Sequence, residues 1–230
     1  MALLNVLSVR MRPECSHRYE ESVRRIAQRA AARKESGHWQ AQEVAFGSIG
    51  TLYFVQEHPD WAALGEQDPP PAYLARLFGE REGTKLYHEM AECLADLRYT
   101  VSKHRPDLSY APHVPAVPPA LTLVTLLRAR PWSLPACEEL IGKVAEAIPK
   151  ADDPSHLQVY QTVIGDLRTY WVVRPIQRVE ELDQVLPPQE LLVRAFGAGE
   201  GDRLYRKGID ALQRAERQMT VLRPDLSYLS

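Results

Sequence analysis

The sequence predicts an α+β protein in which two tandem βαββαβ copies form an intramolecular α+β barrel. The first observation is a repeated hexapeptide: Arg105–Tyr110 recurs as Arg223–Tyr228, and 223 minus 105 gives an offset of 118. The second is that this offset runs without a gap from Leu3 to Tyr110, so it carries one whole copy onto the other. The third is the order of strand and helix patterns, which is the same in both copies.

The repeat also divides the chain. We expect the first copy in residues 1–110, a linker in 111–119 and the second copy in 120–230. The linker has prolines at positions 112, 115, 118 and 119, a composition typical of an extended, semi-rigid spacer. An N-terminal apolar stretch is interpreted as a strand and not as a signal peptide, because it has an internal counterpart beginning at Leu121.

Each copy begins with four well-marked elements. Leu3–Arg12 alternates between apolar and polar residues and predicts a strand. Apolar residues from Tyr19 to Ala30 then recur at helical spacing. Two further strands, Trp39–Phe46 and Thr51–Gln56, are separated by a short glycine-containing connection, which predicts a hairpin.

The second half of each copy is marked less clearly. After a proline-rich loop, a helical spacing is predicted through Leu86, Met90, Cys93, Leu94 and Leu97. A short strand near Tyr99–Lys103 is predicted next, and Arg105-Pro106 ends it because proline cannot donate to a strand ladder. The glycine-rich stretches that begin at Gly79 and Gly197 are interpreted as breaks between helical segments and not as phosphate loops.

In this order of elements both helices cover one face of a sheet, and the other face needs a partner. Each copy resembles a ferredoxin-like unit, and two such sheets facing each other resemble the dimeric α+β barrel superfamily. That superfamily includes antibiotic-biosynthesis-type monooxygenases, polyketide cyclases, haem-degrading enzymes, chlorite dismutases and stress-responsive barrel proteins. The resemblance covers nearly the whole chain but concerns its layout alone, so it implies no catalytic residue.

Composition excludes several classes of protein. The formal net charge of −2 argues against a nucleic-acid-binding protein, and no apolar run reaches the ~18 residues of a membrane span. The three cysteines, Cys15, Cys93 and Cys137, have neither disulfide-framework nor zinc-site spacing. We expect them to be reduced thiols in a cytoplasmic protein. The histidines lack metal-ligand spacing, so we expect no metal and no cofactor.

The candidate ligand site consists of polar and aromatic residues predicted at the strand ends and on the strand faces of the barrel interior. An arginine with amide and aromatic side chains in a mainly apolar cavity suits an aromatic or anionic ligand. The alternative is an ordinary core whose arginines extend to the rim. The candidates are Arg10, His38, Gln40, Tyr53, Arg128, His156, Gln158, Tyr160 and Trp171.

Within this set we expect the pocket near Arg128. The strands of the second copy have Gln161 and Pro175 where the first has Glu43 and Glu57, so the Arg128 guanidinium is expected to lack an acceptor.

Three functions are compatible with the sequence. The first is binding of a small aromatic or anionic ligand, or of a protein partner, without catalysis. The second is a cofactor-independent enzyme of the monooxygenase or cyclase type. The third is a structural protein that forms homo-oligomers.

Overall fold

The structure, a computed structural model, describes residues 2–111 and 119–229. Both halves of the chain follow the same succession of strands and helices, except that the first half has one additional short helix, α2 (Trp61–Gly65). In the first half the elements are β1 (Leu3–Met11), α1 (Ser16–Arg33), β2 (Gln40–Phe46), β3 (Thr51–His58), α2 (Trp61–Gly65), α3 (Pro70–Phe78), α4 (Glu80–Ala91) and β4 (Leu94–His104). In the second half they are β5 (Leu121–Ala129), α5 (Leu134–Lys150), β6 (Gln158–Ile164), β7 (Thr169–Ile176), α6 (Pro188–Phe196), α7 (Ala198–Ala211) and β8 (Leu212–Leu222).

Strand pairing repeats with the same offset as the sequence. Leu3 lies opposite His58 where β1 pairs with β3. In the antiparallel pair formed by β5 and β7, Leu121 lies opposite Ile176. Pairing of β2 with β3 and of β6 with β7 shows the same shift of 118 residues. The two halves therefore share their hydrogen-bonded register as well as their residues.

Among the described residues, eight strands form a closed barrel in the order β1-β3-β2-β8-β5-β7-β6-β4. The prediction of a mixed helix and strand fold, with a barrel formed inside one chain, is confirmed. The finer description of each copy as a ferredoxin-like unit stays a prediction. Within the same residues, no helix combines the length and apolar character needed to span a bilayer.

The chain divides into two compact units, and their boundaries differ from those of the sequence copies. The first unit comprises Met1–Val101 together with Val221–Ser230, and the second comprises Ser102–Thr220. Each hexapeptide therefore belongs to the unit that contains the other copy. The division into 1–110 and 120–230 stays a prediction, and the linker lies outside the described residues except for its two ends.

Within the second unit, the hexapeptide Arg105–Tyr110 is attached to β6. Tyr110 exchanges two backbone hydrogen bonds with Leu157, at 3.0 and 2.7 Å. The Ser109 hydroxyl accepts a hydrogen bond from the backbone N–H of Val159 at 2.9 Å. In the first unit, the hexapeptide Arg223–Tyr228 makes the corresponding bonds to β2. These contacts give the repeated hexapeptide a structural role, and its Pro-Asp pair is typical of a turn.

In each unit the long helix covers one face of the sheet. The stripe of α1 that contains Tyr19 and Val23 packs on Val9 of β1 and Leu52 of β3. Its counterpart α5 packs on β6 and β7, where Tyr170 is fully buried. Because successive side chains of a strand point to opposite faces, this packing also determines which residues face away from the helices.

The last helix of each half is shorter than predicted and the last strand is longer. Helix α4 ends at Ala91 and β4 begins at Leu94, so Cys93, Leu94 and Leu97 are not helical. Leu97 is 49% exposed, which shows that the predicted apolar stripe does not continue to this position. The segment from Leu97 to Val101 is rich in aromatic and β-branched residues, which favour a strand.

The glycine-rich stretches separate helices, as expected. Gly79 lies between α3 and α4 with φ of 88°, a conformation that favours glycine. A Cβ atom at Gly83 would lie 2.4 Å from the carbonyl oxygen of Leu74, so α4 approaches α3 too closely for any side chain there. Gly201 has the same relation to Val193 in the second unit.

Candidate functional site

The helix-free face of the sheet in the second unit carries three of the predicted site residues. Tyr170 and Val159 point into the core beneath α5, so their neighbours Trp171 and Tyr160 point to the opposite face. The register places Trp171 directly opposite Tyr160. Gln158 lies on the same face, two residues before Tyr160. The structure therefore brings together Gln158, Tyr160 and Trp171, as the alternation predicts.

Hydrogen bonds orient the aromatic side chains of this face. The Trp171 indole Nε1 donates to the Thr162 hydroxyl at 3.2 Å, and that hydroxyl lies 3.4 Å from Ser102 Oγ. The Tyr160 hydroxyl donates to Gln158 Oε1 at 3.2 Å. All of these side chains except Gln158 are buried. Satisfied polar groups in a buried setting have well-defined orientations.

His104, at the end of β4, adds an imidazole to this face. Its ring centroid lies 5.2 Å from that of Tyr160, with the two planes tilted by 45°. Its Nε2 atom is buried and has no hydrogen-bond partner in the structure. A buried polar atom without a partner costs about 1–3 kcal/mol. The Nε2 atom therefore lacks the hydrogen bond that a buried imidazole nitrogen ordinarily makes.

The shortage of acceptors predicted at Arg128 is wrong. Arg128 Nε lies 2.6 Å from Asp166 Oδ2, and the Arg128 side chain is 40% exposed. The contact is an ion pair without hydrogen-bond geometry, because the same Nε has no hydrogen-bond partner. Asp166 belongs to the β6–β7 connection, whereas the prediction rested on acidic residues in the strands. Arg128 thus has a counter-charge of its own in a half-exposed position.

In the first unit, two predicted residues lie on the corresponding face. Gln42 lies opposite Tyr53 in the pairing of β2 with β3, the position that Tyr160 and Trp171 occupy in the second unit. Tyr53 is buried and Gln40 is half-buried. Arg10 is exposed near the end of β1. This face has Gln42 where the other has Tyr160, so it carries fewer aromatic rings.

The two histidines that match across the repeat lie just before the strands β2 and β6. His38 is exposed, and its ring centroid lies 4.6 Å from that of Tyr228 in the hexapeptide. His156 is half-buried. Within residues 2–111 and 119–229, no group of three or more histidine, cysteine or acidic side chains could hold a metal ion.

His104, Ser102 and Thr162 were missed by the sequence analysis. The predicted last strand, near Tyr99–Lys103, stops one residue before His104. Counting in twos from Ser102 would have placed His104 on the same face. Thr162 lies two residues beyond Tyr160 and could have been found by the same count.

Comparison with solved structures identifies the fold. An anthrone oxidase-like protein matches with a TM-score of 0.61 and 13% identity, over 100% of this chain and 94% of the other. A protein from Fusobacterium nucleatum described as a monooxygenase matches with a TM-score of 0.58 and 10% identity, over 96% and 92%. Chlorite dismutase from Candidatus Nitrospira defluvii matches with a TM-score of 0.54 and 12% identity, over 97% and 92%.

These structural neighbours are dimeric α+β barrel proteins, the superfamily that the layout of the sequence resembles. At such low identities the similarity establishes the fold alone. No protein-family model matches the chain, and no characterised protein matches its sequence.

Proposed function

We propose that the protein binds a small aromatic molecule on the helix-free face of the second unit. The observation that carries this proposal is the buried, unpaired Nε2 of His104 beside the ring of Tyr160. A ligand hydroxyl or carboxyl group would supply the missing hydrogen bond, and a ligand ring would pack against the aromatic side chains. Small-molecule sites typically combine aromatic residues with a small number of precisely placed polar groups.

The polar group of the ligand is expected to pair with His104, and its ring with Tyr160 and Trp171. The Trp171 indole N–H is already engaged by Thr162. Trp171 therefore contributes apolar surface, while the imidazole contributes the hydrogen bond. This division of roles predicts that an aromatic ring without a hydroxyl or carboxyl group binds more weakly than one that has it.

Cofactor-independent oxygenation of an electron-rich aromatic compound is the second candidate function. An imidazole nitrogen within reach of an aromatic hydroxyl can accept its proton, which makes the ring more easily oxidised. The names of the structural neighbours described as a monooxygenase and as anthrone oxidase-like support this candidate. It uses the same face and the same histidine as the binding proposal.

The test is calorimetric titration with 1-naphthol, 2-naphthoate and cyclohexanecarboxylate. We expect the two aromatic compounds to bind and His104→Asn to weaken binding at least tenfold, whereas the control variant His88→Asn, at an exposed position on α4, binds normally. Equal binding by the His104 variant, or no binding of either aromatic compound, would overturn the proposal. Oxygen consumption in the presence of 1-naphthol would favour the enzymatic candidate.

Three finer predictions accompany the proposal. We propose that residues 1–110 and 120–230 are tandem ferredoxin-like copies, which the common register of the two halves supports. The proposal also includes a cytoplasmic location and the formation of homo-oligomers. Native mass spectrometry would test the oligomeric state and reveal any retained ligand in the same measurement.

A further inference from the structure

Two cysteines that are 78 positions apart meet in the first unit. The backbone N–H of Arg12 donates to the carbonyl oxygen of Cys93 at 2.9 Å, which joins the end of β1 to the connection between α4 and β4. Cys15 follows Arg12 by three residues, and its sulfur and that of Cys93 both contact the side chain of Arg18. The sequence spacing gave no indication of this pair.

A single guanidinium group contacts both sulfur atoms. Arg18 Nε donates to Cys93 Sγ at 3.2 Å, and Arg18 Nη2 donates to Cys15 Sγ at 3.5 Å. The hydrogen bond to Cys93 raises the pKa of Arg18. A fixed positive charge next to a sulfur stabilises its thiolate form, which is the reactive form of cysteine. Glu92 lies 3.9 Å from the same guanidinium and partly offsets its charge.

The two thiols differ in accessibility. Cys15 is half-buried, whereas Cys93 is fully buried. Burial and the neighbouring Cys93 raise the pKa of the Cys15 thiol, while Arg18 lowers it, and the net direction is upward. A solvent-borne reagent therefore meets Cys15 first, and the reaction accelerates as pH rises and the thiolate becomes populated.

The fold itself does not require these sulfurs. At the offset of 118, the second half of the chain has Ser133 in place of Cys15 and Ala211 in place of Cys93. Ala136 stands in place of Arg18. The same strand and helix junction therefore forms without a thiol or a guanidinium. All three residues of the cluster are specific to the first unit.

We propose that Cys15 and Cys93 form a two-thiol site that a peroxide oxidises to a reversible disulfide. The Cys15 thiolate attacks a peroxide oxygen, the O–O bond breaks, and the leaving hydroxide takes a proton to become water. Cys93 then attacks the sulfenic sulfur of Cys15, the S–S bond forms, and the displaced hydroxide leaves as a second water. The two sulfurs together supply the two electrons that reduce one peroxide molecule.

A bound metal ion does not suit this cluster. The Arg18 guanidinium occupies one side of both sulfurs and would repel a cation. Among the described residues no third metal-binding side chain joins the pair. The positive charge instead favours the thiolate and the anionic leaving group of the peroxide reaction.

The experiment treats the purified protein with hydrogen peroxide and follows its intact mass. We expect a loss of about 2 Da per chain, reversed by dithiothreitol, with peptide mapping that joins Cys15 to Cys93. The rate is expected to rise with pH and to fall severalfold in Arg18→Gln. A gain in mass from added oxygen on Cys15, without the loss, would overturn the proposal.

The control variants introduce residues that the second half of the chain already has at the corresponding positions. Cys15→Ser and Cys93→Ala introduce the residues found at positions 133 and 211, and each is expected to abolish the loss of mass. In Cys93→Ala, a sulfenic acid on Cys15 should be trapped by dimedone. Cys137→Ser should oxidise as the original protein does, because burial raises the pKa of Cys137 to about 11. A disulfide that includes Cys137, or one between two chains, would contradict the pairing.

Discussion

Arg105 and Glu138 form an ion pair at 2.7 Å between Nη1 and Oε1, linking the hexapeptide of the second unit to helix α5. The Tyr170 hydroxyl donates to the same Glu138 oxygen at 2.6 Å. In the first unit, Arg223 pairs with Glu20 of α1 at 2.8 Å. The Arg105 and Arg223 side chains are largely buried, at 17% and 22% exposed.

Loss of either arginine is expected to destabilise the protein. Arg105→Ala removes several charge-assisted hydrogen bonds and leaves Glu138 without its counter-charge, so we expect a cost of about 2 kcal/mol. Arg223→Ala should have a similar effect because its partners correspond. Urea unfolding measures both. The control is Arg203→Ala, whose exposed pair with Glu200 should contribute nothing measurable. Equal effects of all three variants would contradict the structural role of the hexapeptide.

Acid should weaken the hexapeptide contacts of the first unit. Arg223 and Arg24 hold the pKa of Asp225 at about 2, below its ordinary value of 3.8. Because the pKa is depressed in the folded state, the stabilisation is present above pH 4 and is lost as pH falls towards 2. Asp225 is 40% exposed, so screening limits the effect to about 1 kcal/mol.

Asp225→Asn should therefore be less stable than the original protein at pH 6 and equally stable near pH 2. Urea unfolding across this range measures the difference, with Asp183→Asn as the control. A difference that persists at pH 2 would show that the carboxylate charge is not its origin.

The close approach of helices α6 and α7 predicts opposite effects of two glycine substitutions. A Cβ atom at Gly201 would lie 2.5 Å from Val193 Cα, so Gly201→Ala should cost about 2–3 kcal/mol. Gly199 is in the same helix with open space around it, and Gly199→Ala should be neutral or stabilising by up to about 0.5 kcal/mol. Thermal and urea unfolding of the two variants provide the comparison. If Gly201→Ala left the free energy of unfolding unchanged, α6 and α7 would be able to move apart without a cost in stability.

The burial of His58 predicts that the stability of the folded protein depends on pH near neutrality. The residue is 9% exposed, its Nε2 has no hydrogen-bond partner, and burial lowers its pKa. The unfolded chain therefore binds a proton more readily than the folded chain, so stability falls as pH drops below about 6.5. His58→Ile introduces the residue of position 176 and should flatten the melting temperature between pH 7 and pH 5. His88→Ile, at an exposed position, should leave that dependence unchanged.

Elements whose apolar residues follow only one spacing, that of a helix or that of a strand, could be predicted from the sequence. Leu3–Arg12 agrees with β1 to within one residue, and the apolar stripe from Tyr19 to Ala30 lies within α1. The boundary between α4 and β4 could not be predicted, because the apolar residues near Cys93 and Leu94 satisfy helical and strand spacing at once. Hydrogen bonding in the sheet decides between them.

The candidate site was predictable only where it depends on alternation. Trp171 and Tyr160 share a face because each lies an odd number of residues from a core position. The Asp166 partner of Arg128 depends on the conformation of a turn, and the pairing of Cys15 with Cys93 depends on tertiary packing. Neither contact can be inferred from the pattern of residues that are neighbours in the sequence.

Each hexapeptide belongs to the unit that contains the other copy of the repeat. This arrangement affects how the chain folds during synthesis. Trp39 Nε1 donates to the carbonyl oxygen of Leu226, 187 positions later in the chain. The first unit therefore cannot be completed until residues 221–229 have left the ribosome. Contacts of such long sequence separation slow folding, and a nascent chain with an unpaired strand edge is prone to aggregation. Truncation before Val221 should thus impair the N-terminal part of the protein first.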